Sequence, residues 1–189
     1  MRTQHNYLLN IMSVIQIKDK QFELFIPEET ILTSISSIAK QMHNDLHDKN
    51  PLFICVLNGA FMFASDLIKH FDFPCEITFI RLKSYQGTTT SGNIKEVHGL
   101  IEDVENRHVV ILEDIIDTGH TIQYLKQSTL KKRPESLRVA ALLFKPDALQ
   151  TDTKADYVAL EIPNDFIVGY GLDYNGHGRN LKDIYKVKD

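Results

Sequence analysis

Apolar runs and polar breaks alternate along this chain with two periods. Val14-Ile15-Gln16-Ile17 and residues 22–26 flank the polar turn Lys18-Asp19-Lys20 and predict two short strands. Pro27, Glu28 and Glu29 suit the first turn of a helix. Ile31, Ile35, Ile38, Ala39 and Met42 then recur at helical spacing, and the helix should stop within 44–50, ahead of Pro51. Leu52–Leu57 is a continuous apolar run, as expected of a strand buried on both faces. A tight turn at Asn58-Gly59-Ala60 leads into a helix over 61–71, with Ala60, Ala64, Leu67, Ile68 and Phe71 on its packing face. Strands are predicted over 73–82 and 94–101, separated by the polar, small-residue loop 83–93, and further strands over 109–112, 137–144, 157–162 and 181–187. Between 109–112 and 137–144, Ile122, Leu125 and Thr129 mark one face of a helix reaching about residue 132. Residues 1–11 carry little pattern and are expected to be a poorly ordered extension.

Strands alternating with helices predict an α/β fold with a mainly parallel central sheet flanked by helices. Ligands of such sheets bind beyond the carboxyl ends of the strands. Asn58-Gly59, the stretch 113–121 and Lys145 all fall at such ends, so three polar segments distant in sequence should converge on one crevice. The stretch Glu113-Asp114-Ile115-Ile116-Asp117-Thr118-Gly119-His120-Thr121 joins a strand to a helix. The first amides of a helix have no internal partner and make an anion site. Thr118 and Thr121 add hydroxyls, and Gly119 lets the backbone approach a ligand closely. A loop that held only phosphate would avoid three nearby carboxylates. Glu113, Asp114 and Asp117 must therefore face sugar hydroxyls, a hydrated divalent metal, or a proton to be removed. Phosphoribosyl pyrophosphate (PRPP), with phosphate at one end and a diol at the other, would satisfy the whole stretch.

The remaining bulk properties narrow the classes. With 189 residues the chain is long enough for one domain with a sizeable core, and 43% hydrophobic and 24% charged residues leave no case for disorder. A net charge of −4 argues against general nucleic-acid binding. Cys55 and Cys75 lie in apolar segments and read as buried reduced thiols, and no Cys/His cluster has zinc spacing. No apolar run approaches the ~20 residues of a membrane helix. The segment 7–17 is interrupted by Asn10 and Gln16 and lacks a signal-peptide pattern, so a cytoplasmic protein with no membrane partner is expected.

The stretch 113–121 resembles the PRPP-binding signature of the type I phosphoribosyltransferases. Leu57-Asn58-Gly59-Ala60, Lys83-Ser84-Tyr85, Lys145, and the tail from Glu161-Ile162-Pro163 through Asp173-Tyr174 resemble one branch of them, the hypoxanthine-guanine phosphoribosyltransferases. The similarity runs in order from about residue 14 to the C-terminus. It implies purine salvage: transfer of the phosphoribosyl group from PRPP to N9 of a 6-oxopurine, with loss of pyrophosphate and formation of IMP or GMP. Glu113 and Asp114 would hold the ribose hydroxyls, partly through Mg2+, and Asp117 would take the purine proton. Asp117, Thr118, Gly119, His120 and Thr121 would cradle the 5′-phosphate. Leu57-Asn58-Gly59, with a cis peptide before Asn58, would hold pyrophosphate together with Arg179. Lys83, Ser84 and Tyr85 would open a lid over the reacting centre. Lys145 would donate to the purine 6-oxo group, Phe166 would stack on the base, and backbone groups of Ile167 and Asp173 would meet its edge. Asp173 would also bind a second magnesium. The resemblance further implies one domain over 1–189. Its core spans about 28–162, its hood comes from about 12–27 and 163–189, and it assembles as a homodimer or homotetramer.

Read without that resemblance, the loop 83–93 is a plain hairpin loop, Lys145 a strand-end cap, Phe166 a core aromatic, and Arg179 half of a surface ion pair. The chain also departs from the family pattern. Asn58 stands where a basic residue is common, His120 replaces a basic or small residue, and Gly176 and Gly178 replace larger ones, which should loosen the loop presenting Arg179. Two other classes compete. One is a PRPP-sensing regulator on the same fold; the retained Asp117, Lys145 and Phe166 and the acidic charge speak against it. The other is a phosphoacceptor receiver domain, whose acidic pair should lie on the first strand rather than mid-chain.

Overall fold

The central sheet is organised by β3 (Leu52–Leu57) and β6 (His108–Ile116), which pair in parallel. The structure, a computed structural model, describes residues 14–84 and 94–188. The expected extension over 1–11, and Tyr85 with the rest of the loop to residue 93, lie outside these residues.

On one side of β3 lies β4 (Glu76–Ser84), parallel, and beyond it β5 (Ile94–His98), antiparallel. On the far side of β6 come β7 (Ser136–Phe144) and β8 (Tyr157–Glu161), both parallel. The order is β5-β4-β3-β6-β7-β8. From β3 the chain proceeds to one side and from β6 to the other. The carboxyl ends of these two strands therefore flank the topological switch point, where such sheets open a crevice.

Alternating side chains cover both faces. Phe53, Cys55, Val110, Leu112, Ala140 and Leu142 join a cluster with α1 (Glu28–Leu46) and α2 (Phe61–Ile68). Ile54, Val56, Val109, Ile111, Val139 and Ala141 join Ile122 and Leu125 of α3 (His120–Leu130) on the other face. Helix α1 buries Ile31, Ile35, Ile38, Ala39, Met42 and Leu46, the stripe its spacing predicts, and carries Glu28 and Glu29 in the first turn, where the helix dipole favours them. A second, antiparallel sheet combines β1 (Val14–Ile17) and β2 (Lys20–Ile26) with β10 (Ile184–Val187) and β9 (Ile167–Val168). Phe22, Val168 and Tyr185 are its buried centre. Among the described residues no helix is long and apolar enough to cross a membrane.

Several element ends differ from expectation. Strand β6 does not stop at Leu112: pairing with β7 continues through Ile115↔Leu143 and Ile116↔Phe144, so Glu113 and Asp114 sit on a strand rather than in a turn. Strand β4 starts at Glu76, not Phe73, because its first backbone bond, Glu76 N–H to Pro51 O (3.0 Å), sets the register with β3. Helices α2 and α3 end at Ile68 and Leu130, where the chain tightens into three-residue-spaced bonds such as Phe71 N–H to Ile68 O and Arg133 N–H to Leu130 O. The antiparallel strand after the polar loop ends at His98, and the last strand begins only at Ile184.

Candidate active site

The crevice at the switch point is a pocket of about 230 Å³. The β3–α2 turn supplies Leu57, Asn58 and Gly59; β6 supplies Glu113 and Asp114; Thr121 comes from the first turn of α3; Asp173 and Arg179 come from the tail. The Leu57–Asn58 peptide is cis, as the resemblance implied. Gly59 lies so close to β6 that a Cβ at this position would overlap the Asp114 carboxylate. A Cβ at Gly171 would in turn strike the Gly59 carbonyl. Two glycines thus let turn, strand and tail meet with no side chain between them.

The acidic pair is unequal. Glu113 is buried, and its Oε2 has no hydrogen-bond partner. Burial, followed by the Asp114 charge, holds Glu113 well above the usual carboxylate range. Asp114 is only half-buried by accessible area, and its Oδ1 accepts the Ile115 amide at 2.8 Å. Burial also raises Asp114, opposed by that amide and by the Arg179 charge. Behind the pair, burial and then the two carboxylates push the Cys55 thiol up to about 12. A thiol so held is protonated at neutral pH and is no nucleophile.

The turn into α3 is braced from behind. The Gly119 N-cap has φ +84°, and a Cβ there would meet Thr151 Oγ1. The loop after β7 returns Gln150 N–H to Thr118 O at 3.0 Å and Thr153 Oγ1 to Gly119 O at 3.5 Å. Among Asp117 to Thr121, Gly119 is buried, His120 is exposed, and Asp117, Thr118 and Thr121 are half-buried. Lys145 is 6% exposed, and its Nζ lies 3.4 Å from Asp117 Oδ2. Lys145 follows the last residue of β7, its amide donates to Ile116 O at 2.9 Å, and its buried side chain faces the half-buried carboxylate of Asp117.

The tail holds the remaining candidates. Phe166 is 47% exposed, which rules out a core role; its ring meets Phe22 at 6.3 Å and Tyr174 edge-on at 5.7 Å. Ile167 is buried in β9 and pairs with Lys186. Arg179 donates to Gly171 O at 2.7 Å and pairs with Asp173 Oδ1 at 2.5 Å. The turn presenting it is not loose: Tyr174 and His177 exchange backbone bonds at 2.9 and 3.1 Å, and Gly176 N–H reaches Asp173 Oδ2 at 2.6 Å. Gly176 and Gly178 have φ of +83° and +95°, a conformation that larger residues disfavour, so glycine here fits the turn. Lys83 and Ser84 are the last two residues of β4, directly after Leu82, which lines the pocket.

The pocket therefore joins the expected ribose and pyrophosphate residues, while Asp117–Lys145 and Phe166–Tyr174 form two further groups. Sequence reasoning gave no role to Asp66, Phe22, Tyr170 or Gly171. The one available signal was Gly169-Tyr170-Gly171, a tyrosine between two glycines.

A family model described as phosphoribosyl transferase domain matches residues 27–175. The chain is 39% identical over 168 residues to a hypoxanthine-guanine phosphoribosyltransferase of Streptococcus thermophilus, covering 88% of this chain and 93% of the relative. It is 41% identical over 163 residues to the enzyme of that name from Streptococcus mutans, covering 86% and 91%. A solved structure of a hypoxanthine-guanine phosphoribosyltransferase from Bacillus anthracis superposes with a TM-score of 0.84 at 36% identity, covering 92% of this chain and all of that one. On these matches, and with the pocket formed where such folds bind their ligands, the chain belongs to the phosphoribosyl transferase domain family and, within it, to the hypoxanthine-guanine phosphoribosyltransferases.

Proposed function

We propose that the protein transfers the 5-phosphoribosyl group of PRPP to N9 of hypoxanthine or guanine, releasing pyrophosphate and giving IMP or GMP, in a magnesium-dependent reaction. The observation that carries this reading is the single pocket in which Glu113 and Asp114 face the Leu57–Gly59 turn and Arg179. A ligand suited to this lining offers hydroxyls to the carboxylates and anionic oxygens to backbone amides and a guanidinium.

The donor set fits Mg2+. Glu113 Oε2 is buried without a partner, and Asp114 stands beside it. Among the described residues no three His, Cys, Asp or Glu side chains come together as a metal cage. That suits an ion that takes one or two carboxylates and completes its shell with water and substrate oxygens. Bound there, or by Asp173, magnesium would neutralise charge on the departing pyrophosphate. Arg179 would add a second positive charge at the same end. The amides of Asp117 to Thr121 and the hydroxyls of Thr118 and Thr121 would hold the 5′-phosphate at the N-terminus of α3.

At the purine end, Lys145 has donors only and would select a 6-oxo acceptor over a 6-amino donor. Asp117, within reach of Lys145 Nζ, would accept the purine proton as the base attacks C1 of the ribose. The half-exposed ring of Phe166 offers a face for stacking, and backbone groups of Ile167 and Asp173 would complete the edge. Lys83, Ser84 and Tyr85 would begin a lid that keeps water from the oxocarbenium-like centre. We read the chain as one domain in which β1, β2 and the tail form a hood over the base, working in the cytoplasm as a homodimer or homotetramer. Relatives named as hypoxanthine-guanine phosphoribosyltransferases favour this over a PRPP-sensing regulator. Incubation with PRPP, Mg2+ and hypoxanthine should yield IMP and pyrophosphate in equal amounts by mass spectrometry, and omission of Mg2+ should stop it. No IMP under any condition would reject the proposal.

A further inference from the structure

We infer that Asp66, acting through Tyr170, is a positioning residue for the pyrophosphate end of the site; the inference rests on the function proposed above. Asp66 lies on α2, does not line the pocket, and has a side chain 25% exposed. Its Oδ1 pairs with Lys69 at 2.7 Å, and its Oδ2 accepts the hydroxyl of Tyr170. Tyr170 is 1% exposed and sits 104 residues away in the chain, in the tail.

Tyr170 is where the tail turns onto the core. Gly169, Tyr170 and Gly171 have φ of +107°, +48° and +97°, three successive residues in the left-handed half of backbone space. Glycine adopts that conformation freely, but tyrosine does not, so surrounding contacts must hold it. One is the bond from its amide to Leu181 O at 2.8 Å; the other is the hydroxyl bond to Asp66. The next residue, Gly171, is the one pressed against the Gly59 carbonyl. Gly171 also binds Arg179 twice: its N–H donates to Arg179 O at 3.0 Å, and its carbonyl accepts Arg179 Nη1 at 2.7 Å. A line of bonded groups thus runs from α2 through Tyr170 and Gly171 to the Arg179 guanidinium, and Gly171 also packs closely on the Leu57–Gly59 turn. These are the two elements placed around pyrophosphate. The 5′-phosphate turn at 117–121 is braced separately, by Gln150 and Thr153. Loss of the Asp66–Tyr170 bond should therefore weaken one end of the site and spare the other.

The test is calorimetric titration of magnesium pyrophosphate and, separately, of ribose 5-phosphate, which lacks the base, into wild type, Tyr170→Phe, Asp66→Ala and Asp66→Asn. Tyr170→Phe keeps the buried ring and removes only the hydroxyl, so the fold is retained and the melting temperature verifies it. Pyrophosphate Kd should rise about three- to tenfold in Tyr170→Phe and Asp66→Ala, the effect of one hydrogen bond, with ribose 5-phosphate Kd within about twofold of wild type. Asp66→Asn keeps an acceptor oxygen and should restore most of the pyrophosphate affinity. Unchanged pyrophosphate affinity in Tyr170→Phe overturns the inference, as does an equal loss for both ligands, which would mean general loosening. A wild type that binds neither pyrophosphate nor PRPP overturns the functional reading, and this inference with it.

Discussion

Adding one methyl group at Gly59 tests the geometry of the pocket most severely. A Cβ at Gly59 would fall inside the Asp114 carboxylate, so Gly59→Ala must displace either the carboxylate or the turn. The turn cannot move freely, because Gly171 lies close against the Gly59 carbonyl. Displacing Asp114 breaks the 2.8 Å bond from the Ile115 amide. Overpacking of this kind costs roughly 1–3 kcal/mol, and the lost bond about 1 kcal/mol more. If that ~2–4 kcal/mol falls on the geometry needed in the transition state, kcat/KM for PRPP drops by roughly 30- to 1000-fold, at 1.36 kcal/mol per tenfold. The assay is initial-rate measurement at saturating hypoxanthine and Mg2+ with varied PRPP, alongside the melting temperature. Gly176→Ala is the comparison: its φ is +83°, but the added Cβ meets nothing within 4 Å. It should lose no more than about 30-fold, the upper cost of a left-handed alanine at roughly 1–2 kcal/mol. A Gly59→Ala enzyme within about threefold of wild type, with an unchanged melting temperature, would refute the close packing of turn against carboxylate.

Other perturbations have equally definite outcomes. Asp117→Asn should lower kcat by about 10²–10⁴-fold with little change in PRPP affinity, and unchanged activity would remove Asp117 from the role of base. Glu113→Gln with Asp114→Asn should abolish the thermal stabilisation that Mg2+ and PRPP together give the wild type; an undiminished shift would place the ion elsewhere. Acid should act through Asp45, which the Tyr157 hydroxyl, and after it Arg138, hold below the usual carboxylate range against the opposing effect of burial. A depressed folded pKa contributes stability that is fully present above the unfolded value of about 3.9 and is lost as pH falls through the folded value. The melting-temperature gap between wild type and Asp45→Asn should therefore be full at pH 7 and close below about pH 4. A gap constant down to pH 3 would contradict that linkage.

The sheet, α1 and the clustering of polar segments at strand ends were legible because they follow from local periodicity. Ile31, Ile35, Ile38 and Met42 lie one helical turn apart, and Leu52–Leu57 is apolar throughout because both faces are covered. The length of β6 was not legible. Glu113 and Asp114 break the apolar run, and only pairing with β7 out to Ile116↔Phe144 keeps the strand going. Gly119 announced the start of α3, but nothing local showed Thr151 and Thr153 behind it. Lys145 could be placed at a strand end; its burial against Asp117 depends on a chain reversal that periodicity does not encode. The turn bearing Arg179 was misread for a related reason. Glycines at 176 and 178 suggest slack when the bonds that close the turn cannot be seen, whereas their positive φ is what lets those bonds form. Asp66 and Tyr170 carry no mutual signal: the glycines around Tyr170 mark a turn in the tail, but only the folded tail brings that tyrosine to Asp66.

The most direct measurement is a spectrophotometric turnover assay with PRPP and Mg2+ against hypoxanthine, guanine, xanthine and adenine. The proposed role of the buried Lys145, donation to a purine 6-oxo group, predicts turnover of at least one oxopurine and adenine as the poorest base. Failure to turn over any oxopurine would contradict the enzyme reading, and adenine as the best substrate would contradict the role given to Lys145.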